Sequence, residues 1–524
     1  MRISSNLFFQ TGLNSINAQQ ADLLHLYKQV GSGQRMVNPS DDPLAAAQAI
    51  NVSQTLAMSE RYATNRQVAS RNLGMQDNIL SSVVTQLQSV KTQLVEAGNG
   101  TWSDVDRATL AEVFEAARDS LLNLANSTDG NGQYLFSGAK GKTAAFGADG
   151  TYLGSADPRL IQVDQTRLLD SADIGSNIFS RAAPGTVGYV TIPNTGNSGT
   201  AAVSGYDITN ATGLAAGRAV RIEFVDSTAN PGTLAYKATI PTEAGNALEY
   251  EVELTADEIT TLAAGNNVTL MDADLGLTAT LSGTPQIGDG FELVPLHSPA
   301  YSLGASDPAA PAVRSVTGYG GQSLDLEYGL IPDPADPDPD NPALPLVPGF
   351  TSADGTTYAA TLDPATNRVS VDVDGVEIVF DSEPDDGQSF SITSGPDSQS
   401  RNELNLFSAL DDIIEALRSG TGTEAASIHF QNTLSSTMQR VDAVYNNVLS
   451  VRASAGTRMN EVTALDSAGG TRILEYRNQL SQLEDLDYYT AITQLQLRTT
   501  ALEAAAMAFQ KIQNISLFNL NSRG

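Results

Sequence analysis

Near both ends of the chain, apolar residues recur at alternating steps of four and three. Tyr488, Ile492, Leu495, Thr499, Leu502, Ala506 and Phe509 form one such line, inside a proline-free stretch from Arg472 to Leu520. Phe9, Leu13, Ile16, Gln20, Leu23, Tyr27 and Val30 repeat the pattern at the other end. This is the a/d spacing of a helix laid along another helix. Thr499, Ala506 and Gln20 are weak seam residues, so neither helix is self-sufficient. Each end of the chain predicts a partner in the other.

The inner segments continue the helical pattern. Gly31 and Gly33 end the first helix, and the turn from Asn38 to Pro43 places Asp42 as an N-cap before proline at the first helical position. From Leu44 to about Ala97 a long helix carries Leu73, Leu80, Leu87 and Leu94 at intervals of seven, with Val83 and Val90 between them. Gly98-Asn99-Gly100 breaks it. Ser103 opens another helix with Leu110, Val113, Ala117, Leu121 and Leu124 inward, stopped at Gly130-Asn131-Gly132. The run from Gly132 to Lys140 reads as a short strand. Helix resumes at about Asn402, with Leu404, Phe407, Leu410, Ile414 and Leu417 on one face, and closes at Ser419-Gly420. From Glu424 a second long helix carries Leu434, Val441, Val448, Ala455 and Val462 at intervals of seven. Met438, Tyr445 and Met459 fill its alternate positions. Whether Gly469-Gly470 interrupts it before the final stretch from Arg472 is left open by the sequence.

Residues from about 141 to 400 have a different character, rich in Gly, Thr, Val, Asp and Pro. Ala219–Val225, Tyr250–Leu254 and Val369–Val373 alternate polar and apolar, as half-buried strands do. Asp374-Gly375, between two such runs, is a two-residue hairpin signal. A weak repeat links 281–293 to 380–392, with Pro285, Gly288 and Phe291 matching Pro384, Gly387 and Phe390 at an offset of 99. It predicts two related β units, at about 181–300 and 301–399. The second contains an extended acidic proline loop at 332–342.

The fold class expected is α+β and multidomain. Its N- and C-terminal segments form a long antiparallel helical bundle or coiled coil, and a β-rich outer region, 141–399, is inserted at the far end. The helices of 43–140 and 400–486 supply the bundle core, and those of 1–42 and 487–524 its termini.

Composition sharpens this picture. The net charge is -31, and residues 181–400 hold 30 of the 60 acidic residues but only 6 of the 29 basic ones. The middle is therefore a solvated, self-repelling surface, whereas the ends are nearly balanced and free to pack. Such acidity disfavours nucleic acid and anionic membrane as partners. The absence of cysteine removes disulfides and thiolate sites. No apolar run is long enough to span a bilayer, and the first twenty residues lack the apolar core and cleavage site of a cleaved signal peptide.

No catalytic constellation emerges. His25, His297 and His429 are scattered along the chain. Asp272, Asp274, Asp372 and Asp374 have calcium-loop spacing without the glycine and terminal Glu of a calcium hand, and read as solvated turns. No cofactor or metal site is expected. The terminal seams carry the functional signal instead, because they run almost to the chain ends, where packing normally fades. Leu13, Ile16, Leu23, Tyr27, Val30, Ile492, Leu495, Leu502 and Phe509 are the residues expected in subunit-interface helices.

Several motifs together carry a family likeness. The MRISS start, the Gly31–Arg35 helix end, the NPSDDP turn, QYLFSGAK at 133–140, RASAGTRMNEV at 452–462, LEDLDYYTAI at 483–492 and the ISLFNL ending resemble the flagellin-like hook-associated proteins of the hook–filament junction. The likeness covers roughly 1–180 and 400–524. It implies a non-enzymatic axial protein, exported unfolded through the flagellar type III apparatus without signal cleavage, escorted by a chaperone, and located outside the cell. Its partners would be other copies of itself, the hook-side junction protein and flagellin. The terminal helices would form an inner tube, disordered in the monomer. The large β middle departs from the shorter members. Two other readings stand beside this one: flagellin itself, and a secreted surface binder whose β units recognise carbohydrate or host protein on a helical stalk.

Overall fold

The computed structural model describes residues 5–241, 247–271, 275–297, 301–307, 310–311, 313–332, 346–394 and 404–521, with the side chains of 5–9, 241, 394 and 512–521 outside the description. The helices are α1 (Ser5–Ser32), α2 (Pro43–Ala97), α3 (Asp104–Ala125), α4 (Gly175–Phe179), α5 (Ala256–Ala263), α6 (Leu406–Ser419), α7 (Glu424–Glu484) and α8 (Tyr488–Asn521). The chain divides into two compact units, one of residues 1–71, 160–169 and 459–524, the other of 72–159 and 170–458.

In the first unit, α2 and α7 run antiparallel, shown by Glu60 paired with Arg477 and Arg66 with Asp466. Arg66 is almost fully buried, donating to Asp466 at 3.0 Å and to the Val163 carbonyl at 3.0 Å. A Cβ at Gly469 would overlap its guanidinium. Gly469-Gly470 therefore does not break the helix. The helix runs unbroken to Glu484, its glycine leaving room for a buried arginine, and the final helix begins at Tyr488.

The Val163 carbonyl belongs to a small hairpin of β1 (Leu160–Gln162) and β2 (Leu168–Asp170). Asn65 donates to Gln162 O at 2.8 Å, Arg167 pairs with Glu461 at 2.6 Å and Arg472 with Asp164 at 2.8 Å. The hairpin is thus a clip tied to both long helices. The Arg472 hydrogen bond holds the Asp164 carboxyl below its ordinary range, and the Arg167 hydrogen bond does the same for Glu461. Groups with folded pKa values so depressed stabilise the clip above their unfolded values, about 3.9 and 4.3, and lose that effect as pH falls through the folded values. Acidification from about pH 6 to about pH 3 is expected to lower hydrogen-exchange protection of the Val163 and Arg167 amides, after correction for intrinsic rates. In an Arg472→Met, Arg167→Met variant that loss should be much smaller. An equal loss in both proteins would assign the acid response elsewhere.

In the second unit the sustained heptad forms the core. Leu80, Val83, Leu87, Val90 and Leu94 of α2 are fully buried with Val441, Val444 and Val448 of α7. The two helices are again antiparallel, with Asp77 paired to Arg452 at 2.8 Å and Lys91 to Asp442 at 2.5 Å. α3 packs along α6. It opens with a capping box, Ser103 accepting from the Asp106 amide and Asp106 from the Ser103 amide.

The connection from α3 carries a correction. Residues 132–140 form turns with an isolated bridge between Thr128 and Tyr134, not a strand. Gly132 and Gly138 sit at φ 75° and 60°, and a Cβ at Gly138 would meet the carbonyls of Ser155 and Asp157. Apolar character in Leu135 and Phe136 comes from burial in the helical core, not from a sheet.

The β-rich region contains one strand plan twice. The first copy comprises β3 (Tyr189–Pro193), β4 (Ala202–Asp207), β5 (Val220–Asp226), β6 (Leu234–Pro241), β7 (Ala247–Glu253), β8 (Val268–Leu270), β9 (Thr278–Ser282) and β10 (Gly290–Pro295). The second comprises β11 (Tyr301–Ala305), β12 (Val313–Thr317), β13 (Leu324–Pro332), β14 (Leu346–Ser352), β15 (Thr357–Asp363), β16 (Arg368–Val373), β17 (Val376–Phe380) and β18 (Ser389–Ser394). The first gives sheets β3-β10-β5-β6-β7 and β4-β9-β8; the second gives β11-β18-β13-β14-β15-β16-β17-β12. Each strand of the second has its counterpart eight strands earlier. The β15–β16 hairpin fuses the sheets of the second copy, whereas α5 separates β7 from β8 in the first.

The repeated turn is the same in both. Gly288 at φ 94° and Gly387 at φ 86° donate to Phe224 O and Tyr328 O, each at 2.8 Å. The following Phe291 and Phe390 point into a single core that spans both copies. Asp374 and Gly375, at φ 53° and 85°, form the tight hairpin turn between β16 and β17. The loop at 333–345 and Asp272 and Asp274 lie outside the described residues.

Candidate assembly surface at the terminal helices

Within the first unit, α1 and α8 pack side by side. Their register is fixed at the base of the pair by backbone pairing. Leu486 N donates to Gly33 O at 3.0 Å, Arg35 N to Glu484 O at 2.7 Å, and Gln34 bridges Asp485. The Arg35 guanidinium donates to the Leu483 carbonyl at 3.1 and 3.2 Å. Gly33, at φ 74°, lets α1 end here, and a side chain on it would press on the Tyr488 hydroxyl.

The flanking helix starts are capped by carboxylates. Asp42 accepts from the Ala45 amide at 3.1 Å, with Pro43 beginning α2. Asp487 accepts from the Tyr489 amide at 3.1 Å and the Thr490 hydroxyl at 2.6 Å, and these bonds, the Thr490 hydroxyl first, lower its pKa. Asp41 accepts from the amides of Asn38 and Val37 and lies 3.1 Å from His25; its pKa is lowered, chiefly by the Asn38 amide. Farther along the pair, Arg498 and Asp22 form an exposed ion pair.

The pair divides the candidate interface residues into two sets. Ile16, Leu23, Val30, Leu495, Leu502 and Phe509 are half-buried. Phe509 abuts Gly12, where an added Cβ would lie 3.3 Å from its ring. Leu13, Tyr27 and Ile492 are exposed at 37, 52 and 45%. Leu24, Tyr488, Tyr489, Leu497 and Met507 are exposed with them. Leu26 and Ala491, absent from the sequence-level set, are buried. The inner seam of α1 therefore runs through Gly12, Ile16, Leu23, Leu26 and Val30, one residue out of phase with Leu13 and Tyr27. Size-blind periodicity favours the larger apolar side chain at each step. The signal that locates the seam is the small residue, Gly12 or Ala491, where two helices approach closely.

Two helices sharing one seam cannot bury both of their apolar faces. The surface left over is suited to packing against further helices. His25 faces Asp41, His297 packs edge-on against Tyr189, and burial lowers the pKa of His429 in the second unit. Among the described residues no group of three or more His, Asp or Glu is arranged to hold a metal ion, and no helix is long and apolar enough to cross a membrane.

Comparison with known proteins finds matches over part of the chain. Residues 3–141 match the bacterial flagellin N-terminal helical region. Flagellar hook-associated protein 3 of Salmonella typhimurium is 42% identical over 181 residues, 34% of this chain and 57% of that protein. The protein of the same name from Escherichia coli is 42% identical over 180 residues, again 34% and 57%. The match thus spans little more than half the length of these relatives. A crystal structure of Xanthomonas campestris FlgL aligns with 82% of this chain and 99% of its own, at 19% identity and a TM-score of 0.47. The chain thus carries a flagellin-type N-terminal helical region and is similar over part of its length to flagellar hook-associated protein 3.

Proposed function

We propose that this protein is a structural subunit of the bacterial flagellum, outside the cell, joining hook to filament. It performs no catalysis. Subunits assemble through α1 and α8, whose outward apolar residues pack against copies of the same chain and against the adjoining hook-side and filament proteins. The observation that carries this reading is the apolar outer face of the terminal pair, Leu13, Leu24, Tyr27, Ile492 and Leu497, left exposed in the single chain. A wall built of such pairs buries each incomplete face against its neighbours. Export through the type III route precedes docking, and a chaperone that covers the terminal segments prevents premature polymerisation. The names of the relatives support the junction position, and the acidic β-rich region suits a solvent-facing surface.

Electron microscopy of the purified protein, salted out with and without hook fragments, tests the proposal. Short caps only on hook ends are expected. Long filaments of the chain alone would make it a filament subunit, and attachment to neither would overturn the assembly reading.

A further inference from the structure

Arg107, in the first turn of α3, is 5% exposed. Its amide closes the helix on Ser103 O at 3.0 Å. Its guanidinium, by contrast, has no hydrogen bond or ion pair among the described residues, and Nε and Nη1 are buried without a partner. It lies over the Phe430 ring, 4.5 Å from the centroid. Arg66 and Arg440, also deeply buried, pair with Asp466 and Asp412, and the Arg218 guanidinium donates to the Leu214 and Tyr301 carbonyls. Burying a charge without a counter-charge is costly, and a cation–π contact offsets only part of that cost.

Beside Arg107 is a cavity of about 480 Å³, within the range of small-ligand sites. Phe430, Leu434 and Met438 give it an apolar wall, and Ser427, Gln431 and Gln439 a polar one. Asp442 also lines it but is engaged by Lys91 at 2.5 Å. One positive charge is therefore left over, that of Arg107. A dianion such as phosphate would meet Asp442 with a single cation to neutralise it. A monoanion balances the site.

We propose that this cavity binds a monocarboxylate with an apolar portion. The carboxylate accepts charge-assisted hydrogen bonds from the Arg107 guanidinium, and the hydrocarbon part packs on Phe430 and Leu434. The carboxylate belongs either to a free aliphatic acid or to an acidic side chain of another polypeptide. This site is independent of the assembly reading, since it uses none of the terminal helices.

Saturation-transfer NMR on the full chain tests it, with butyrate as the free acid and N-acetyl-glutamate amide as the side-chain mimic, at constant ionic strength. Saturable transfer from at least one probe is expected, weakened about tenfold or more in Arg107→Met and retained in part by Arg107→Lys. Tighter butyrate binding assigns the site to a free acid; tighter binding of the glutamate amide assigns it to a protein side chain. Circular dichroism establishes that both variants are folded. No saturable transfer from either probe, equal transfer in Arg107→Met, or displacement by chloride as effective as by carboxylate would overturn the proposal.

Discussion

Replacing Leu495 and Leu502 together with aspartate is expected to abolish assembly while leaving the β-rich region folded. Both side chains are half-buried, at intervals of seven from Phe509, which abuts Gly12 of α1. Full burial of a leucine contributes about 1.5–3 kcal/mol, so half-burial contributes about 1 kcal/mol at each position. An ionised carboxylate set against the remaining apolar seam adds a desolvation cost. The combined loss is on the order of 3–5 kcal/mol. That is large for two helices of 28 and 34 residues joined by a single seam. Helices so weakly held depend on tertiary packing for their existence. The measurements are attachment to hook fragments by electron microscopy and the thermal transition of the soluble protein. Lost attachment with an unchanged main transition is the expected pair. Leu497→Asp separates inner from outer contacts, because Leu497 is 68% exposed. It should spare the α1–α8 pair yet impair attachment. Wild-type attachment by both variants would remove the terminal helices from the mechanism.

The parts of this architecture legible in the sequence are those where one local rule acts without competition. The intervals of seven from Leu73 to Leu94 identify a buried stripe because each position is a large apolar residue, and all four are fully buried. Asp374-Gly375 predicts its hairpin because positive φ at successive positions leaves few alternatives. The likeness carried by NPSDDP and QYLFSGAK lies within residues 3–141, which match the flagellin N-terminal helical region. Elsewhere local and tertiary effects compete. Gly469 reads as a helix breaker by propensity, costing about 1 kcal/mol relative to alanine, but the space it leaves is filled by Arg66 from a residue distant in sequence. Leu135 and Phe136 look like a strand because a short apolar run does not reveal what it is buried against. The Arg107 cavity was illegible for a further reason. Its residues come from the start of α3, a stripe of α7 and the connections before each, and a buried arginine among many polar residues carries no periodic mark.

Phe407→Ala is expected to destabilise the helical core of the second unit by about 3–5 kcal/mol. Phe407 is fully buried near the start of α6, its ring 5.0 Å from Phe146 and 5.9 Å from Phe179, centroid to centroid. Phe146 and Phe179 also pack edge-on with each other, so truncation removes one member of a mutually supporting triad. The melting temperature should fall by on the order of 5–10 °C, measured by circular dichroism at 222 nm and calorimetry. Phe407→Leu, which retains most of the volume, should cost less than half as much. The site has little means of collapsing. Asn405 holds the helix start in place, accepting from the Phe407 amide at 2.9 Å and donating to Gly150 O at 2.7 Å. Gly150, at φ 76°, abuts the Cβ of Phe407, and alanine keeps that carbon. The glycine therefore remains necessary after truncation, and Gly150→Ala cannot fill the cavity. Combining the two substitutions should lower stability further than Phe407→Ala alone. A double variant more stable than the single one would show that the loop carrying Gly150 moves into the cavity, and that the start of α6 is not fixed by its cap.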